Sequence, residues 1–148
     1  MPVVISSHYL ERLCTAREYN GLVWISGVLC GCAQFSRGDP SYGLPGPAFE
    51  VVERLTWFAQ GTRSGGWTYF EGTPPERQTA MLARLKADTL HPDFGEQYQI
   101  GMRDWHRPSA LGSLDTWLDA HDELNNSIVW QIICANRELV QALVNTDP

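Results

Sequence analysis

No cluster of basic residues occurs anywhere in this sequence. Its eleven Lys and Arg are scattered, against seventeen Asp and Glu, for a net charge of −6. Direct binding to a nucleic-acid backbone, which needs clustered cations, is therefore disfavoured. Long apolar runs are missing as well. The longest, Gly21 to Phe35, is broken by Ser26, Gly27, Gly31 and Gln34, so no membrane span is expected. The opening Met-Pro-Val-Val-Ile-Ser-Ser lacks the basic start and apolar stretch of a signal peptide. A cytoplasmic location with reduced thiols is the expectation.

Cysteine is scarce: Cys14, Cys30, Cys32 and Cys134. An even count permits two disulfides but demands none. Cys30-Gly31-Cys32 invites a metal or redox reading, yet a zinc site normally wants four ligands. The surrounding run is apolar, where free cysteine is usually buried. Buried structural cysteines are expected, with no metal and no cofactor. Catalytic signatures are lacking too. The glycines at 61, 65 and 66 are not followed by Lys-Ser/Thr and do not form a dinucleotide fingerprint. His106 has no nucleophile at a recognisable spacing, and a carboxylate pair such as Glu96 with Asp104 can be assembled in any acidic chain. The expectation is a protein that is not an enzyme.

What is present is a globular composition: 148 residues, 43% hydrophobic and 19% charged, with six Trp, five Tyr and five Phe. One all-α domain spanning residues 1–148, built from six or seven short helices, is predicted. Ser6 or Ser7 caps a helix to about Glu18. Leu22 to Phe35 reads as a buried helix, with a buried strand pair as the competing reading. Ser36 to Gly46 is a loop, and its Arg37-Gly38-Asp39 triplet is a turn. Pro47 opens a helix to about Gln60, ended by Gly61. Thr73 caps a helix to about Asp88, and Asp93 caps another to about Trp105. Pro108 breaks the chain. Ser109 or Ser113 starts a further helix, Asn125-Asn126-Ser127 is a joint, and a last helix from Ile128 to Val144 folds back as a C-terminal hairpin.

The helix at 111–124 carries Asp115, Asp119, Asp122 and Glu123, at offsets of four, seven and eight. At ~100° per residue they share one face, with Leu111, Leu114, Trp117, Leu118 and Leu124 opposite. No Lys or Arg lies between Arg107 and Arg137. Such a stripe attracts basic partners and repels nucleic acid; a merely solvated face is the plain alternative. His121 falls on the apolar side and is expected to pack there.

A resemblance rests on Val51-Val52-Glu53-Arg54-Leu55-Thr56-Trp57-Phe58 followed by Ser64-Gly65-Gly66-Trp67-Thr68-Tyr69-Phe70. It resembles a small all-helical bacterial family, in which an amphipathic helix leads into Asn-Gly-Gly-aromatic-x-x-aromatic-Phe and a Leu-x-x-Leu-Lys helix. Met81 to Lys86 stands in the place of that second helix, and Leu114-x-x-Trp117-Leu118 and Ile132-x-x-x-Asn136 fit the layout. Ser64 replaces the family's Asn. The family includes a DNA-mimic protein, and related domains occur among immunity proteins of bacterial toxin systems. Independently of the name, Gly65 and Gly66 permit a tight or left-handed turn, with Trp67 and Phe70 anchoring it in the core.

These features suggest an immunity-type inhibitor that occludes a cognate protein toxin, one that is basic or has a basic active-site groove. Asp115, Asp119, Asp122 and Glu123 would supply charge, and Trp105 and Tyr42, both on loops, would be anchors. A DNA mimic that sequesters a DNA-binding protein is the alternative. One helix offers few charges for that task, and a homodimer would extend the row. A small hydrolase is the third reading.

Overall fold

The computed structural model describes residues 6–32 and 39–144. The chain is all-α, with eight helices and no strand among the described residues. It resolves into two compact units: residues up to Leu55 together with Leu124 onward, and Thr56–Glu123 between them.

In the first unit, α1 (Ser7–Ala16) begins as predicted. Ser6 Oγ accepts the Tyr9 N–H at 3.1 Å. It ends at Arg17, whose left-handed backbone (φ 51°) sends its N–H to the Leu13 carbonyl. The apolar segment is helix α2 (Tyr19–Cys32), not a strand pair. Leu22, Ile25 and Leu29 are buried at helical spacing. Gly21 meets the Trp130 indole, which a Cβ there would approach to 3.1 Å. Asp39 closes the following turn, its Oδ1 accepting the Ser41 N–H at 2.9 Å; Arg37 and Gly38 lie outside the described residues. The unit is completed by the start of α3 (Gly46–Ser64), the end of α7 (Pro108–Ala135) and α8 (Arg137–Val144), which packs on α2 and α1.

In the second unit, α4 (Gly66–Gly72), α5 (Pro75–Ala87) and α6 (Pro92–Asp104) join the end of α3 and the start of α7. The core here is aromatic. Trp57 meets Tyr98 edge-on at 5.0 Å, and Phe94 meets Trp117 edge-on at 5.0 Å. The buried Tyr69 and Tyr98 hydroxyls hydrogen-bond to each other at 2.8 Å. Gly101 admits the Phe70 ring into space that any Cβ would occupy.

Several predicted boundaries are corrected. Gly61 does not end α3, which runs on to Ser64; it is a glycine because Leu118 packs against it. The residue after the true end is Gly65, at φ +99°, a conformation only glycine adopts easily. Thr73 and Asp93 do not cap. Pro74 and His91 hold those positions, with no side-chain capping bond. Instead, Gln78 Nε2 donates to the Phe70 and Thr73 carbonyls at 2.9 and 2.8 Å, and Asp88 Oδ1 accepts the Leu90 and His91 N–H groups.

Asn125-Asn126-Ser127 is not a joint. Helix α7 is continuous for 28 residues, and the break before α8 falls at Asn136. Asn125 lies seven residues after Leu118 and four before Val129, and all three are buried. Its position continues the buried face of the helix, and its polarity is met there by Arg54.

Candidate interaction surface on the acidic helix

The two features that stand out in the sequence, the glycine pair and the acidic stripe, meet in the second unit. Asp115 Oδ1 accepts the Gly66 backbone N–H at 2.8 Å. That N–H belongs to the first turn of α4, so Asp115, 49 residues further along the chain, satisfies one of the helix's free donors. A Cβ on Gly66 would come within 3.2 Å of the same carboxylate oxygen. Asp115 is therefore engaged in the fold.

Asp119 and Glu123 are exposed, and Asp122 is half-buried. Among the described residues none of the three has an ion pair or side-chain hydrogen bond. Burial, then the charges of Asp119 and Glu123, push the Asp122 carboxyl above its ordinary value. The like charges of Asp119 and Glu123 thus act on Asp122, and no ion pair among the described residues offsets them.

His121 packs as expected. Its ring stacks on Trp117 at 4.3 Å, Nδ1 donates to the Trp117 carbonyl at 2.8 Å, and Nε2 stands 3.4 Å from Asp93 Oδ2. Leu124, expected on the apolar face, is 40% exposed.

The aromatic anchors are redistributed. Tyr42 is not an exposed loop residue. It is 9% exposed, at φ 58°, and its ring lies against Phe49 at 6.1 Å. Trp67 is not a core anchor either: it is 41% exposed, while Tyr69 and Phe70 are buried. The Trp67 indole lies back over Gly65, where a Cβ would stand 3.0 Å from the ring. Trp105 is half-buried at the end of α6, beside His106, and lines an apolar cleft with Phe70, Leu111, Leu114 and Gln97.

One constellation in the first unit was not anticipated. Arg54 is fully buried on α3, with Glu50 and Glu53 also buried on that helix. Its Nε donates to Glu50 Oε2 at 2.8 Å and its Nη1 to Asn125 Oδ1 at 3.2 Å. The i, i+4 spacing of Glu50 and Arg54 is legible, but that pattern usually marks a solvent face. Cys14 and Cys134 come together in the same unit, Cys134 Sγ lying 3.9 Å from the Cys14 carbonyl. Among the described residues no cluster of His, Cys, Asp and Glu has the makings of a metal site.

Comparison with family models, curated proteins and solved structures finds no match to this chain.

Proposed function

We propose that this protein is an interaction module that neutralises a basic protein by covering it, as an immunity protein covers a cognate toxin. The observation that supports this reading is that Asp119, Asp122 and Glu123 stand together on α7 with no ion pair among the described residues. Carboxylates held together without counter-charge cost folding stability, and a cationic surface docked on them removes that cost. Opposite charge speeds encounter, and an indole buried at the interface slows dissociation. Trp67 takes the anchor role considered for Tyr42, and Trp105, which lines the apolar cleft with Gly66, is the second candidate anchor. Occlusion of a basic groove requires no catalytic group on this chain. The expected setting is the cytoplasm, and among the described residues no helix is long and apolar enough to cross a membrane. A duplex mimic needs a longer row of charge than this. With Asp115 engaged at Gly66, the stripe fits a protein-specific inhibitor better.

The test is retrieval with the tagged protein from its native cells, with the neighbouring gene product co-expressed. The expected result is one stoichiometric partner that is toxic when expressed alone and harmless when co-expressed with this protein. Several DNA-binding proteins, all released by duplex DNA, would replace the reading with mimicry. A partner whose toxicity persists on co-expression would overturn it.

A further inference from the structure

We propose that Cys14 and Cys134 are a modification site, forming a reversible disulfide that ties α1 to the C-terminal end of α7. The two residues are 120 apart in sequence, yet the Cys134 thiol reaches the Cys14 backbone, its Sγ standing 3.9 Å from the carbonyl oxygen. Arg17 holds both. From its left-handed position at the end of α1, its Nε donates to the Cys14 carbonyl at 3.2 Å and its Nη2 to Cys134 Sγ at 3.9 Å. The backbone turn that ends α1 thus brings one guanidinium to both cysteines.

The two thiols differ in access. Cys14 is buried, and burial followed by the neighbouring Cys134 pushes its thiol up to about 12. Cys134 is half-exposed and meets an oxidant first. With a peroxide, the Cys134 sulfur attacks one oxygen, the O–O bond breaks, and the other oxygen leaves as water. Cys14 then attacks the sulfenic sulfur of Cys134. The S–S bond forms, the S–O bond breaks, and the Cys14 proton leaves with the hydroxyl as a second water. Two thiols are oxidised by two electrons, and one peroxide is reduced to two waters. A dithiol reductant reverses the bond by exchange.

The test treats the reduced full-length protein with hydrogen peroxide, alkylates the remaining thiols and maps the peptides. The expected result is loss of two alkylation sites, a linked Cys14–Cys134 peptide, and its disappearance with dithiothreitol. Closing so long a loop should also raise Tm by roughly 5–15 °C. Cys134→Ser, at the half-exposed position, should abolish the link without disturbing the core, and Cys30→Ser should leave it intact. A link between any other pair would overturn the proposal, as would sulfinic acid at Cys134 with Cys14 still open to alkylation.

Discussion

Gly65 and Asp115 act together. Gly65 follows the last residue of α3 at φ +99°, which lets the chain enter α4 immediately, and Asp115 receives the first N–H of that helix. Gly65→Ala should cost about 1–3 kcal/mol, because a side chain there is strained and meets the Trp67 ring. Asp115→Ala should cost about 0.5–2 kcal/mol, the range for a lost N-terminal partner. The double variant should lose less than the sum, since the carboxylate bond depends on the turn that Gly65 makes. Urea denaturation of the four proteins checks this. Arg54 is a second residue on which stability turns. Arg54→Met leaves Glu50 buried without its 2.8 Å partner and should cost about 3–5 kcal/mol by the same measurement. A cost under 1 kcal/mol would mean that the pair is not buried in solution.

At the scale of elements, helical spacing carried most of what was legible. Ser6 as a cap, α2 as a helix and the burial of Leu114 and Leu118 on α7 follow from side-chain type and period. The errors lie where a polar or small residue serves a distant contact. Asn125 looks like a turn former and is instead the partner of Arg54 in mid-helix. Gly61 looks like a stop and instead makes room for Leu118. No local pattern contains either contact. The candidate site was half legible: the stripe and the glycine pair could be read, but not that Asp115 joins them, nor that Trp67 and Tyr42 exchange burial.

The stripe also has a titration signature. Asp122 has a folded pKa above its ordinary 3.8, so its ionisation disfavours the fold. The penalty is absent below the unfolded value and grows as pH rises through the folded one. Asp122→Asn should therefore stabilise the protein at neutral pH, by about 0.2–0.5 kcal/mol as for other relieved like-charge pairs, and the gain should vanish below about pH 4. Asp88 has the opposite sign. Burial pushes it up, but bonds from His91 and Leu90 outweigh this and hold it below its ordinary value. Its contribution is present above that ordinary value and is lost as pH falls through the folded one. Thermal unfolding against pH separates the two, since only the Asp122 effect disappears in the Asn variant.

For the whole molecule the governing quantity is charge. A net −6 acts at long range on any basic partner, while Asp119, Asp122 and Glu123 concentrate it on one helix face. Steering of this kind raises the association rate and is weakened by salt. The proposed anchors, Trp67 and Trp105, would act on dissociation, which is insensitive to salt. The measurement that tests this most directly is partner affinity against ionic strength, for the wild type and for Asp119→Lys/Asp122→Lys. The wild type should weaken steeply with salt. The double variant should bind at least about tenfold less tightly at low salt, mainly through slower association, with a flattened salt dependence. Equal affinity and equal salt slope in the two proteins would contradict the account and remove the acidic face of α7 from the interface.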